Sequence, residues 1–125
     1  MTVTFREATE ADVPAFVDLL KDYEIGATRE TADLDVYVAV FRRIQADPMA
    51  VIVVGELDGR VIACYQLNAI EGLSLNGFRR GQVEDVRVAS DLRGQGIGKQ
   101  LIEDAFECAR NMGCAAMQLV AHKDR

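Results

Sequence analysis

The sequence has few of the residues that disulfide-bonded and metal-binding proteins require. It has no tryptophan, two prolines, one histidine and three cysteines among its 125 residues. The odd number of cysteines and the lack of a C-x-x-C pair favour reduced thiols, so we expect a cytoplasmic location. Cys64 and Cys108 sit among alanines and valines in predicted elements, which indicates packing residues rather than nucleophiles. We predict no metal site.

Long apolar runs are also missing, and we expect no leader. No apolar run is long enough to span a bilayer, and MTVTFREATE lacks the basic region and apolar core of a signal peptide. Acidic residues outnumber basic ones by 20 to 14, which gives a net charge of −6. This balance argues against a nucleic-acid partner and favours a cationic substrate. We therefore expect one soluble domain over residues 1–125, with neither nucleic acid nor membrane as a partner.

The most informative stretch runs from Gly81 to Met112. It begins with a predicted strand, VEDVRV at residues 83–88, and continues into a glycine-rich loop, Arg93–Gly98. A predicted amphipathic helix follows, because its apolar residues recur at helical spacing. Glycines let a backbone approach an anion closely, and the free N–H groups at a helix start point towards it. Strand, loop and helix together predict a phosphate-binding site.

Two common nucleotide motifs do not fit this loop, since Lys99 is followed by Gln100 and the glycines do not read G-x-G-x-x-G. The pattern Arg/Gln-x-x-Gly-x-Gly/Ala does fit, with Arg93, Gly96 and Gly98. This loop resembles the acyl-CoA-binding motif of the GCN5-related N-acetyltransferase (GNAT) family. The similarity extends to the first predicted strand and helix, and to the strand AAMQLVA after Gly113, so it covers nearly the whole chain.

The resemblance implies an α/β fold in which helices flank a mixed central sheet, in the order β-α-α-β-β-β-α-β. It also implies acetyl-CoA as co-substrate, with its pantetheine arm alongside Val86, Arg87 and Val88. A backbone N–H near Val86 or Arg87 would then stabilise the thioester carbonyl. The pyrophosphate would be held by the N–H groups of Arg93, Gly94, Gln95, Gly96, Ile97, Gly98 and Lys99.

Glu84 is the first candidate for the general base that deprotonates the amine. It lies one step before the segment assigned to the cofactor, and Asp85 is expected to point to the opposite face of the strand. Two alternatives stay open for Glu84: it binds a cationic substrate, or it pairs with an arginine. His122 either lies near the open end of the cleft or is a surface histidine.

The other elements follow from local signals. Thr9 with Asp12 resembles a capping box, with Asp in place of Glu. We predict a helix over about 13–24 that ends at Gly26, and a second over 32–46 that either borders the acceptor site or only packs. Asp58-Gly59 predicts a hairpin turn between two strands. A polar loop is expected over 72–81, where Arg79 and Arg80 either hold a substrate anion or are solvated.

The chain departs from the family after its last predicted strand. The family continues with a helix, which usually carries a tyrosine general acid, and a closing strand pair, whereas this chain ends at Arg125. Tyr23, Tyr37 and Tyr65 lie in other segments, so we name no general acid. An apolar strand with an open edge requires cover, so we expect either further residues or a homodimer.

The expected function is transfer of an acetyl group from acetyl-CoA to a primary amine of a small molecule such as an amino sugar. A non-catalytic acyl-CoA-binding module is the first alternative. A structural α/β domain that binds no cofactor is the second.

Overall fold

A single sheet, whose strand order follows the chain, organises the molecule. The computed structural model describes residues 2–22 and 24–120, and in these ranges the first four strands run antiparallel while the fifth lies parallel to the fourth. The strands are β1 (Thr4–Glu7), β2 (Ala50–Leu57), β3 (Arg60–Glu71), β4 (Arg79–Val88) and β5 (Ala116–Leu119).

Helices cover both faces of this sheet. Helices α1 (Val13–Lys21) and α3 (Leu34–Gln45) pack on one face, against β3, β4 and β2, and α5 (Ile97–Asn111) packs on the other. Successive residues of β3 show the division: the Tyr65 hydroxyl donates to Asp104 of α5 at 2.6 Å, and Gln66 faces α1 and α3. The predicted α/β class with a mixed sheet is confirmed. The helices are α1 (Val13–Lys21), α2 (Glu24–Arg29), α3 (Leu34–Gln45), the short turn α4 (Ser74–Gly77) and α5 (Ile97–Asn111).

Three predicted boundaries were wrong. The first helix ends at Lys21, and Gly26 lies within the additional helix α2 instead of ending α1. Asp22 leaves the helical conformation, and its carboxylate accepts hydrogen bonds from Ser90. The strand predicted over 83–88 begins at Arg79, because the ladder with β3 continues to the pair of Arg79 with Glu71. Tertiary partners, which local sequence does not reveal, set all three boundaries.

The hairpin between β2 and β3 is confirmed. Asp58 and Gly59 have φ values of 52° and 79°, as a two-residue turn with both residues left-handed requires. The core lies between the sheet and its helices, and Cys64 is fully buried within it. Burial raises the pKa of the Cys64 thiol, as expected of a packing residue. Other fully buried core side chains are Val54, Ile62, Tyr65, Leu67, Val83 and Leu101.

A polar cluster joins β1 to the start of α1. Arg6 donates two hydrogen bonds to Asp12, at 2.7 and 2.8 Å, and a third to Glu56 at 2.6 Å. The backbone N–H of Thr9 donates to the same Asp12 carboxylate at 2.7 Å, so the predicted capping interaction is present. The Arg6 guanidinium holds the pKa of Asp12 at about 2, below its ordinary value.

We predict that Asp12→Asn lowers the free energy of unfolding by about 2 kcal/mol at pH 7, from the cited shift. The folded-state pKa is depressed, so the stabilisation is present above the unfolded pKa and is lost as the pH falls through about 4 to 2. Urea titrations across pH check this, with the exposed Asp18→Asn on α1 as the control. Equal stability of Asp12→Asn and the parent at pH 7 would contradict the prediction.

Candidate active site

The site centres on a gap between β4 and β5. Pairing between these parallel strands runs from Arg80 with Ala116 to Val83 with Leu119, and the Val120 N–H makes a further bond to the Val83 oxygen at 2.8 Å. Strand β4 continues to Val88, beyond the described pairing with β5. The part of the chain that the structure describes places no strand beside β4 after Val83 on the side of β5. We call this space the slot, and an extended ligand could pair in it as an added strand would.

A β-bulge lies in β4 where the slot begins. Gln66 pairs with Glu84 and Cys64 with Arg87, so that Asp85 and Val86 together lie opposite Tyr65. Asp85 has a φ of 56°, a left-handed conformation that aspartate tolerates better than most residues. The bulge interrupts the alternation of side chains along β4.

The expectation that Asp85 points away from the face of Glu84 was therefore wrong. Glu84 shares a face with its cross-strand partner Gln66. Asp85 and Gln66 line the same cavity on that face. Two adjacent carboxylates thus lie on the side of the sheet covered by α1 and α3.

The segment assigned to the pantetheine arm lies along the slot. Val86 and Val88 are half-buried, and Arg87 is buried, with 6% of its surface exposed. The Arg87 Nη1 donates to the backbone oxygen of Val86 at 3.0 Å. The Arg87 side chain is therefore held within the protein. A ligand along this segment would contact its backbone groups.

The glycine loop follows directly and presents backbone to solvent. Gly94 and Gly96 both have a φ of 79°, and a Cβ atom at either position, or at Gly98, would meet nothing within 4 Å. Helix α5 begins at Ile97, and the Gln100 N–H makes a helical hydrogen bond to the Gly96 oxygen at 3.3 Å. The N–H groups of the preceding residues in this first turn have no carbonyl to bond within the helix. These N–H groups can bind an anion, and the helix dipole makes that binding more favourable.

The side chains of the loop have different roles. Ile97 is 1% exposed, so it anchors α5 in the core and offers the site only its backbone. Gln95 and Lys99 are exposed. Arg93 donates from Nε to the Val88 oxygen at 3.2 Å and from Nη2 to the Asp22 oxygen at 3.1 Å. The Arg93 guanidinium therefore fixes the loop against the end of β4.

Asp22 completes this connection from the end of α1. Its carboxylate accepts from the Ser90 N–H at 2.7 Å and from the Ser90 hydroxyl at 2.9 Å. Sequence reasoning did not find Asp22 or Ser90, because 68 residues separate them and neither belongs to a local motif. Both position the loop.

Glu84 lies in a strip of amides on the sheet. Gln82 donates to a Glu84 oxygen at 3.4 Å, and Gln118 donates to Gln82 at the same distance. Gln66 and Asn68 bond to each other on the neighbouring strand. Within the described residues, no ion pair joins Glu84 to an arginine, so the alternative in which it serves as an ion-pair partner lacks support.

A cavity of about 270 Å³ opens beside this strip, between α1, α3 and the sheet. Its walls are the apolar faces of the two helices, and Gln66 and Asp85 contribute the polar groups from the sheet. Helix α3 therefore does more than pack against the core. Residues of the helices that line the cavity include Phe16, Leu20, Val36, Tyr37 and Val40.

Several other candidates lie elsewhere or are engaged. Arg79 pairs with Glu71 and donates to the Met112 oxygen at 2.6 Å, so it joins β3, β4 and the end of α5 and is not an open anion site. The Tyr65 hydroxyl is buried against α5, on the opposite face from the cavity. His122 and Tyr23 fall outside the described residues.

No cluster of metal-ligating side chains and no helix fit to cross a membrane occurs in the part of the chain that the structure describes.

A glycine loop beside strands β4 and β5, which pair over only part of the length of β4, is the arrangement of an acyl-CoA-binding α/β domain. Residues 13–125 match the family model described as Acetyltransferase (GNAT) family, and the chain belongs to that family. The resemblance predicted from the loop is confirmed. Acetyl-CoA is the co-substrate of GNAT acetyltransferases.

Two curated relatives are glucosamine 6-phosphate N-acetyltransferases. That of Trypanosoma brucei brucei is 38% identical over 56 residues, which cover 45% of this chain and 38% of the enzyme. That of Arabidopsis thaliana is 24% identical over 99 residues, covering 79% of this chain and 66% of the enzyme. The chain thus aligns with less than two thirds of either relative.

One solved structure with a similar fold is a transcriptional regulator from Bacillus halodurans C-125. It superposes with a TM-score of 0.91 at 35% identity, over 99% of this chain and 85% of the other. The sheet and helices described above therefore recur almost completely in that protein.

We predict that Gly96→Val weakens binding of coenzyme A at least tenfold, because a side chain there would occupy the space that a pyrophosphate needs. Lys99→Ala should weaken it only modestly, because an exposed charge contributes about 1 kcal/mol or less. Isothermal titration calorimetry with coenzyme A measures both.

Two further variants act as controls. Gly59→Val carries the same strain, since Gly59 also has a φ of 79° and open space around it, but it lies in the hairpin turn. Gly98→Ala fits the loop pattern and should preserve binding. Unchanged affinity in Gly96→Val would refute the assignment of the loop.

Proposed function

We propose that the chain is an acetyl-CoA-dependent N-acetyltransferase that acts on a primary amine of a small molecule. The observation that carries the proposal is that the slot beside β4 leads to the glycine loop. Within the described residues, pairing of β4 with β5 ends at Val83, and Arg93 holds the glycine loop against the far end of β4. One extended ligand with a pyrophosphate at one end fits both features.

The cofactor would be held mainly by backbone. The N–H groups from Arg93 to Lys99 would bind the pyrophosphate, and the pantetheine amides would pair with Val86 and Val88 of β4. A backbone N–H near Val86 or Arg87 would then donate to the thioester oxygen as it gains negative charge.

Glu84 is the proposed general base. The amine must lose a proton before its lone pair attacks the thioester carbonyl, and a carboxylate on β4 beside the slot can accept that proton directly or through water. Glu84 is half-buried beside the amide strip, and no ion pair joins it to a cation within the described residues. Relatives that acetylate glucosamine 6-phosphate support a small amine as the acceptor.

We predict that Glu84→Gln lowers kcat by about 10²-fold or more and leaves the affinity for acetyl-CoA nearly unchanged, because a base acts on the amine. The pH profile of kcat/KM should lose its acidic limb. Glu103→Gln, an exposed change on α5, is the matched control. Equal activity of Glu84→Gln and the parent across pH would remove Glu84 from the mechanism.

A non-catalytic acyl-CoA-binding module is the second candidate. It is favoured by the engagement of Tyr65 with Asp104, which leaves that hydroxyl unsuited to protonate a leaving thiolate. A thiol-release assay with a panel of amines separates the two, since a module would bind acetyl-CoA and release no thiol above background.

We also propose that the chain forms a homodimer. Leu119 on β5 and Val120 directly after it are 53% and 41% exposed, and Leu73 and Leu75 in the turn before β4 are 100% and 75% exposed. Two identical edges related by a two-fold axis can cover one another.

We predict a dimer in sedimentation equilibrium at micromolar concentration, with dissociation on dilution. Leu119→Lys should shift the equilibrium towards the monomer, because it places a charge on the exposed edge. Val36→Lys, an exposed change on α3, serves as the control. A monomer at all concentrations would contradict the proposal.

A further inference from the structure

The segment that joins β4 to the glycine loop is fixed at both of its ends. At its start, Ala89 is 2% exposed, and its N–H donates to the Ile62 oxygen on β3 at 2.8 Å. At its end, the Arg93 guanidinium donates to the Val88 oxygen and to the Asp22 oxygen. All three acceptors are backbone oxygens, so these anchors do not depend on the side chains at positions 22, 62 and 88.

Ser90 lies between these two anchors and is held by a side chain. Its N–H donates to one oxygen of the Asp22 carboxylate at 2.7 Å, and its hydroxyl donates to the other oxygen at 2.9 Å. Ser90 is also the first residue of the short turn Ser90–Leu92, which leads into the glycine loop. The Asp22 carboxylate therefore ties this turn to the end of α1.

The Asp22 carboxylate bonds outside its own helix. Asp22 directly follows α1, and its backbone N–H donates to the Leu19 oxygen at 3.3 Å, as any residue at a helix end can do. Both carboxylate oxygens bond to Ser90, which lies 68 residues further along the chain. The contacts of this side chain therefore relate to the loop and not to the end of α1.

We propose that Asp22 is a positioning residue for coenzyme A. It acts through Ser90 and not by contact with the cofactor, since it holds the turn from which the glycine loop continues. A backbone that is already ordered loses less entropy on binding, so its affinity for the pyrophosphate is higher. The inference rests on the part of the proposed function that places the pyrophosphate at the glycine loop, and it requires no particular acceptor.

A link between the loop and α1 acts in both directions. If the end of α1 supports the loop, a ligand bound at the loop must also stabilise the end of α1. The last turn of this helix contains Leu19 and Leu20, which are buried in the core. Opening of that turn exposes these side chains, and amide hydrogen exchange measures how often it opens.

Isothermal titration calorimetry with coenzyme A tests the proposal on variants of Asp22. Asp22→Ala removes both hydrogen bonds to Ser90, so we expect the dissociation constant to rise about tenfold. Asp22→Asn keeps the shape, because its Oδ1 can accept from the Ser90 N–H and its Nδ2 can donate to the Ser90 hydroxyl oxygen. Its dissociation constant should stay within twofold of the parent. Asp18→Ala, an exposed change one turn earlier on α1, is the matched control and should have no effect.

A double-mutant cycle shows whether Asp22 acts through Ser90. Ser90→Ala removes the hydroxyl and keeps the N–H, so it should weaken binding of coenzyme A by a few fold. In the Asp22→Ala background the same change should add nothing, because the bond that it breaks is already absent. Fully additive effects of the two changes would contradict the proposal.

Hydrogen exchange gives a readout that a purely structural carboxylate would not change. Coenzyme A should slow exchange of the amides of Leu19, Leu20 and Lys21 about fivefold or more in the parent and in Asp22→Asn. In Asp22→Ala, saturated with coenzyme A, the slowing should be less than twofold. Thermal unfolding of each variant is measured alongside, and all titrations are made where the variant is folded.

The outcomes separate this inference from the proposed function. Parental affinity in Asp22→Ala would overturn the inference and leave the glycine loop as the coenzyme A site. Equal weakening by Asp22→Asn and Asp22→Ala would also overturn it, because charge and not geometry would then be the cause. Parental affinity in Gly96→Val would overturn the assignment of the loop and this inference with it.

Discussion

The separation of β4 from β5 is the constraint on which the rest of the site depends. Two parallel strands that stayed paired throughout would satisfy each other's backbone groups and leave no place for a ligand. Within the described residues the pairing ends at Val83, and an extended cofactor could pair with the backbone of β4 beyond it. The bulge at Asp85 lies where the described pairing ends, and it places Asp85 at the cavity that α1 and α3 enclose.

Side chains distant in sequence hold this arrangement in place. Asp22 and Arg93 join the end of α1 to the loop. Arg60, the first residue of β3 after the hairpin turn, pairs with Asp91. The start of α5 is tied to the N-terminal strand by the bond from the Val3 N–H to Gln100 at 3.0 Å. The loop therefore keeps a fixed position although its glycines are exposed, and a positioned backbone loses less entropy when it binds an anion.

Local signals in the sequence predicted a large part of the fold. Asp58-Gly59, the glycine loop and the capping interaction of Thr9 with Asp12 each depend on a few adjacent residues, and each is present. Register and tertiary contacts are not local. The bulge that brings Asp85 beside Glu84 depends on how β3 pairs with β4, which a single strand pattern does not contain.

The same limit applies to the ends of elements and to charged side chains. Helix α1 ends at Lys21 because Asp22 bonds to Ser90, and no neighbour of Asp22 indicates that partner. The sequence left Arg79 either holding a substrate anion or solvated, whereas the structure pairs it with Glu71 and with the end of α5. The identity of a charged residue is visible in the sequence, whereas its partner depends on the completed fold.

The order of the strands also bears on how the chain folds. Strands β2, β3 and β4 are neighbours in both chain and sheet, and only Asp58 and Gly59 separate the first two. Strand β1 can pair with β2 only after a segment of about forty residues closes, which costs roughly 2–3 kcal/mol more than closing the hairpin. The meander of β2 to β4 is therefore expected to form early, and β1, with the Arg6–Asp12 cluster, to dock late. Strand β4 would then be assembled before α1 and α3 have packed on it.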